Sequence, residues 1–174
     1  MTTRKQPWKV DPAEWLPIEE LGDFAARAVG CQRRQLMVRQ LRDGSFLTVP
    51  AAVISDGRDG PWLVLVSGQH GNEWNGPWIL HRLIHRLNPE QVRGTIVILP
   101  IANPMAFNEG RRASLVDSID LNRTYGGRTP RKPTEHLGAI LWESVFSRAD
   151  YLIDLHSGGP GVHLPFASAV NGKE

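Results

Sequence analysis

The sequence has a single cysteine, Cys31. An internal disulfide is therefore excluded, and so is any zinc site built on several thiolates. No apolar run approaches the roughly 18 residues that a membrane-spanning helix needs. The opening stretch, Met1 to Val10, carries charge but is followed by no apolar segment of the kind a secretory leader requires. Together these absences predict a cytoplasmic protein with no membrane partner. There is little excess charge of either sign: 20 Lys and Arg against 18 Asp and Glu give a net +2. The densest basic cluster, Arg128 to Lys132, has no interleaved aromatic residues on which bases could stack, so it reads as a solvated loop and no nucleic-acid partner is expected. Internal repeats and low-complexity segments are also missing.

What is present is an ordinary globular composition. At 174 residues, with 41% hydrophobic and 22% charged residues, the chain can bury a real core. Asp11 to Val29 has helical spacing, interrupted at Pro17 and stopped by Gly30. Gln35 to Leu41 and Phe46 to Ser55 read as two strands joined by a turn at Arg42-Asp43-Gly44. Pro61 to Ser67 contains Leu63-Val64-Leu65-Val66, the continuous apolar run of a strand buried on both faces. A helix follows, with Pro77 in its first turn and Leu80, Leu83, Ile84 and Leu87 on one side, ended by Asn88-Pro89. Thr95 to Leu99 is another buried strand. A long polar connection then runs from Ala102 to Lys132, and connections of that length inside a compact domain usually serve a site. A helix over about Thr134 to Arg148, with Leu137, Ile140, Leu141 and Val145 inward, and a strand at Tyr151 to Leu155 complete the pattern. Strands alternating with helices predict an α/β fold: a mixed, largely parallel sheet with flanking helices. Ligands in such sheets gather at the carboxyl ends of strands.

Two polar motifs stand at such ends. Gly68-Gln69-His70-Gly71-Asn72-Glu73 follows the first buried strand, and His156-Ser157-Gly158-Gly159 follows the last. Zinc catalysis uses three protein ligands drawn from His and Asp or Glu, with one position left open. His70, Glu73 and His156 could supply them. Taken alone, an H-x-x-E pair is more often a turn-capping histidine beside a glutamate at the positive end of a helix. His81 and His85 form a rival i, i+4 pair, but Arg82 stands where a zincin helix carries its glutamate, and the pair reads as solvated. His136 and His163 are isolated and receive no role. On the long connection, Arg111-Arg112 and Asp117-Ser118-Ile119-Asp120-Leu121-Asn122-Arg123 suit recognition of a carboxylate or stabilisation of an oxyanion. They suit a charged surface loop with internal Asp–Arg pairs equally well.

Taken together and in order, G-Q-H-G-N-E, N-P, R-x-x-x-x-D-x-x-D-L-N-R and D-L-H-S-G-G resemble the succinylglutamate desuccinylase/aspartoacylase family of the zinc carboxypeptidase-like clan. The resemblance runs from about Ala51 to His163. It is nearest to the bacterial branch that includes N-acetyl-diaminobutyrate deacetylases, in which an arginine lies eleven residues before that of D-L-N-R, as Arg112 does here. It implies a partial zinc carboxypeptidase-like fold, with residues 1–30 as a helical lead-in and 31–174 as the N-terminal part of the catalytic domain. By the same resemblance His70, Glu73 and His156 hold one zinc ion per chain. Asp120 orients the first histidine, Arg112 polarises the scissile carbonyl, and Asn122 and Arg123 grip a substrate carboxylate. The implied chemistry is hydrolysis of an N-acyl bond by zinc-activated water, on a small N-acyl amino acid or similar carboxylate.

Two departures qualify the match. Tyr125-Gly126-Gly127 stands where relatives often have Phe-Pro-Gly. Relatives also carry a general-base glutamate on a later strand, beyond the point where this sequence ends at Glu174, a terminal residue in no matching motif. An unassisted site of this kind is expected to be slower by roughly two to four orders of magnitude. The expected alternative is a truncated, catalytically impaired zinc- or ligand-binding module; as an enzyme, the chain is expected to associate with a second copy or a completing partner chain through exposed core surface.

Overall fold

In a computed structural model, residues 29–41, 43–126, 129–159 and 166–171 are described. The helix expected at Asp11 to Val29 lies outside them but for Val29, which is not helical. Six strands, β1 (Gly30–Gln40), β2 (Phe46–Ser55), β3 (Trp62–Ser67), β4 (Thr95–Leu99), β5 (Tyr151–His156) and β6 (Phe166–Asn171), form one sheet in the order β1-β2-β4-β3-β5-β6. The sheet is mixed. The central β4-β3-β5 pairings are parallel, while β1-β2, β2-β4 and β5-β6 are antiparallel. Among the described residues three α-helices accompany it: α1 (Asn75–Ile84), α2 (Pro104–Glu109) and α3 (Pro133–Ser144).

The alternation of side chains along the strands divides the core into two layers. Val64, Val66, Val97 and Leu99 face a cluster completed by Leu137 and Leu141 of α3. Leu65 and Ile98 face the other side, against Leu80 and Ile84 of α1. The continuous apolar runs of β3 and β4 follow from this sandwich, since each strand needs apolar residues on both faces. Fully burying each such side chain contributes about 1.5–3 kcal/mol. The two inward stripes are the Leu80/Ile84 and Leu137/Leu141 pairs predicted from helical spacing.

Some boundaries differ from the sequence reading. α1 stops at Ile84, and Asn88-Pro89 instead opens a separate 3-10 turn, Pro89–Gln91, with the Asn88 side chain accepting from the Glu90 amide at 3.1 Å. α3 stops at Ser144, and a 3-10 turn, Phe146–Arg148, follows. The first strand begins earlier than expected, at Gly30. No helix among the described residues is long and apolar enough to cross a membrane.

The parallel pairing of β3 with β5 is what builds the site. Ser67 is in register with Leu155, so the two strands deliver their following residues, His70 and His156, to the same edge of the sheet.

Candidate metal centre

The turn after β3 is shaped by backbone that approaches closely. Gly68 has φ +63°, and the carbonyls of Ser67 and Gly68 accept from the amides of Ala102 and Asn103 at 2.9 and 3.0 Å. Gly71 lies against α2: a Cβ there would come within 1.9 Å of the Ala106 carbonyl oxygen. The helix that seats on Gly71 lies within the connection expected to be irregular. Its signals were local: Asn103 accepts from the Ala106 amide at 3.1 Å, Pro104 occupies the first turn, and Gly110 closes the helix at φ +60°.

His70, Glu73 and His156 converge. One ligand atom from each lies within 4.8 Å of the others, and among the described residues they are the only such group of three or more. His70 Nδ1 is 2.8 Å from Glu73 Oε1, and His156 Nδ1 is 3.0 Å from Glu73 Oε2. The Ser157 amide donates to the same Oε2 at 3.0 Å. All three side chains are buried, with His70 2%, Glu73 7% and His156 7% exposed.

The far nitrogen of each imidazole also meets a carboxylate. His70 Nε2 lies 3.0 Å from Asp120 Oδ1, and His156 Nε2 lies 2.7 Å from Asp154 Oδ2. Such partners fix the tautomer and aim the opposite nitrogen at a common point. Here each opposite nitrogen meets an oxygen of Glu73. The Asp154 hydrogen bond, against the opposing effect of burial and with help from the Asp154 and Glu73 charges, raises the His156 pKa. Burial pushes the Asp120 carboxyl upward, but the hydrogen bond and charge of His70, together with Arg112 and the Asn122 amide, hold it below its usual range.

The donor set suits a divalent, borderline-soft cation. Two imidazole nitrogens and a carboxylate oxygen are ligands that zinc accepts, and Glu73, Asp120 and Asp154 bring three carboxylates against one guanidinium, that of Arg112. His81 and His85 do not join the group. Their rings meet edge to face at 5.0 Å, and the Arg33 guanidinium lies 3.1 Å from His85 Nδ1. His136 is exposed, and His163 lies outside the described residues.

The long connection brings the remaining candidates alongside. Arg112, 54% exposed in its side chain, donates to Asp120 Oδ2 at 2.9 Å and lies 3.9 Å from Glu73 Oε1. Asp120 caps the 3-10 turn Leu121–Arg123 by accepting from the Asn122 amide at 3.0 Å. Arg123 is exposed, and its guanidinium donates to the Asn122 carbonyl at 3.0 Å. Asp117 pins the loop to α3 by accepting from the Thr134 amide and hydroxyl, each at 2.8 Å.

Asp154 received no role in the sequence reading, although a signal existed. A residue two before His156 on the same strand shares its face, so D-x-H can bring a carboxylate to the imidazole. Gln69 and Tyr125 were also missed: the Tyr125 hydroxyl donates to Gln69 Oε1 at 2.9 Å, and Gln69 Nε2 donates to Asp154 Oδ2 at 2.5 Å. No local pattern announces contacts made across 56 and 85 residues.

A family model describing the succinylglutamate desuccinylase/aspartoacylase catalytic domain matches residues 59–173, the span that holds every one of these groups. The chain belongs to this family. It is 34% identical over 169 residues to an N-alpha-acetyl-L-2,4-diaminobutyric acid deacetylase of Halomonas elongata, covering 95% of this chain and 48% of that protein. It is also similar to the crystal structure of a succinylglutamate desuccinylase/aspartoacylase from Rhodobacter sphaeroides, with a TM-score of 0.69, 28% identity, and coverage of 76% of this chain and 41% of that one. The product-bound ectoine utilization protein of Ruegeria pomeroyi gives a TM-score of 0.67 at 29% identity, covering 82% and 42%. The chain thus spans about half the length of the deacetylase it matches, and somewhat less of the two structures. The fold type expected from the sequence, a mixed sheet of this family's zinc-peptidase-like type, is observed, with the parallel pairing confined to the central β4-β3-β5 strands and the other three pairings antiparallel.

Proposed function

We propose that the chain carries the metal-binding half of a zinc-dependent deacylase that hydrolyses an N-acyl amide bond in a small carboxylate-bearing substrate. The observation that supports it most is the convergence of His70, Glu73 and His156 within 4.8 Å, inside the span that matches the family model. Membership of the family supports the hydrolase class, and the deacetylase name of a 34%-identical relative favours an N-acyl amino acid as substrate.

In this reading His70 Nδ1, His156 Nδ1 and a Glu73 oxygen hold one zinc ion. When bound, zinc supplies a Lewis acid that polarises a carbonyl and acidifies water. Asp120 and Asp154 keep the two imidazoles turned inward by accepting from their Nε2–H groups. Arg112, half exposed at the rim and tethered by Asp120, offers its guanidinium to the oxygen of the scissile carbonyl as charge develops there. Asn122 and Arg123 lie on the next turn of the same loop and receive the substrate carboxylate. A rigid bidentate donor such as Arg123 suits that group.

Metal analysis of the purified protein tests the proposal, alongside hydrolysis of a panel of N-acetyl and N-succinyl amino acids. One zinc per chain is expected in the wild type and none in His70→Ala or His156→Ala. A wild type that takes up no zinc would sink the reading.

A further inference from the structure

Behind His156 lies a partly buried chain of polar groups that the proposed reaction does not use. Gln69 is 3% exposed. Its side-chain amide sits between the Asp154 carboxylate, 2.5 Å from Nε2, and the Tyr125 hydroxyl, 2.9 Å from Oε1. The chemistry fixes every direction. A carboxylate can only accept, so the amide nitrogen must face Asp154 and the amide oxygen must face Tyr125. The phenol is then the donor. Asp154 Oδ2, already accepting from Gln69, also accepts from His156 Nε2 at 2.7 Å, which leaves His156 Nδ1 turned toward Glu73.

The chain therefore runs Tyr125 to Gln69 to Asp154 to His156 and joins two parts of the molecule. Tyr125 is on the loop that carries Asn122 and Arg123, and its ring is held edge-on against Phe146 at 5.2 Å. Gln69 directly precedes His70, and its own backbone carbonyl accepts from Asn103 Nδ2 at 3.3 Å. Among the described residues Asp154 Oδ1 is buried with no hydrogen-bond partner, and the carboxylate is held there through Oδ2. An amide left free to rotate would loosen or reverse the one restraint on Oδ2, among the described residues, besides the histidine itself.

We infer that Gln69 and Tyr125 are positioning residues for His156: the hydroxyl fixes the amide, the amide fixes Asp154, and Asp154 fixes the imidazole that faces the metal. The inference rests on the zinc reading given above. It also places the arginine loop and the metal ligand in one hydrogen-bonded unit, so that ordering one orders the other.

The test is zinc affinity by chelator competition, together with the visible absorption spectrum of the cobalt-substituted protein, in Tyr125→Phe, Gln69→Leu and the double variant. Phenylalanine keeps the ring against Phe146 and removes one oxygen, so Tyr125→Phe is expected to fold. Partners in direct contact with a metal ligand contribute about 10–100-fold in affinity. Gln69 is one step and Tyr125 two steps beyond that direct partner, and each single variant is expected to bind zinc about threefold to tenfold more weakly, at or below the lower end of that range. The cobalt bands should shift, and the double variant should be no weaker than Gln69→Leu alone, because both act through one link. Gly44→Ala, in the distant β1–β2 turn at φ +86° with nothing within 4 Å of the added methyl, serves as the control for mere destabilisation and leaves the spectrum unmoved. A Tyr125→Phe protein with wild-type zinc affinity and an unchanged cobalt spectrum would overturn the inference while leaving the zinc site standing. A wild type that binds neither metal removes the zinc reading, and this inference with it.

Discussion

The rings of His70 and His156 lie 5.0 Å apart, centroid to centroid, tilted by 47°. They stand on either side of Glu73, each with Nδ1 toward one of its oxygens and Nε2 on an aspartate. His156 is far along the chain from the other two, so the three side chains meet only when β3 and β5 pair, and metal binding at this pocket is linked to folding.

Zinc is therefore expected to stabilise the protein, and chelation to reverse the effect. At a free metal concentration 100 times Kd the gain is about 2.7 kcal/mol, and for a chain of this size that raises the melting temperature by roughly 5–10 °C. Thermal scans with zinc and then with excess EDTA measure it. In Glu73→Ala the two scans should coincide, since the carboxylate that meets both imidazoles is gone.

Gly71→Ala should unfold the centre from outside it. The added methyl would stand 1.9 Å from the Ala106 carbonyl oxygen and 2.3 Å from the Phe107 nitrogen, both backbone atoms of α2. Either α2 moves off the His70 turn or the turn shifts, at a cost of about 3 kcal/mol or more. Gly110→Ala is the contrast. It has nothing within 4 Å, and its φ of +60° limits the cost to about 1–2 kcal/mol. Urea denaturation of both variants should rank them in that order, with zinc affinity lost mainly in Gly71→Ala.

How much of this was legible in the sequence depended on distance along the chain. β2 and β4 are the stretches Phe46 to Ser55 and Thr95 to Leu99 as read, because alternation and continuous apolar runs are local signals tied to burial. The inward faces of α1 and α3 were legible for the same reason. α2 was missed since six residues carry too little periodicity, although its Asn103 cap, Pro104 and Gly110 mark both ends. The three ligand residues could be named from strand ends and motif spacing. The Tyr125–Gln69–Asp154 chain could not, because it closes only when β3, β5 and the long loop come together.

Arg112 offers a way to separate holding the metal from using it. Its side chain is more than half exposed, so losing its pair with Asp120 should lower stability by less than about 1 kcal/mol. The proposed contact with a developing oxyanion would be worth about 10²–10³-fold in kcat. Arg112→Ala should thus keep its zinc and lose turnover of an N-acyl amino acid. Arg112→Lys should recover little, because an ammonium lacks the planar fork that bridges Asp120 and the substrate oxygen. If Arg112→Ala instead lost zinc, the guanidinium would belong to the scaffold of Glu73 and Asp120 rather than to the reaction.

Tyr125 gives a pH signature of its own. Its ring is partly accessible, but its hydroxyl points into the Gln69–Asp154 cluster, and burial, with the charges of Asp154 and Asp120 adding to it, raises its pKa well above the usual value. The folded state therefore keeps its proton where the unfolded chain, near pH 10, begins to release it. A raised folded pKa contributes stability that is complete below the unfolded pKa and drains away as pH rises above it. Above about pH 10 the slope should approach 1.4 kcal/mol per pH unit from this one group. Denaturation free energies between pH 9 and 11 would show it as a steeper fall in wild type than in Tyr125→Phe, which has no proton to lose. Equal slopes would mean that the hydroxyl reaches water and is not held by Gln69.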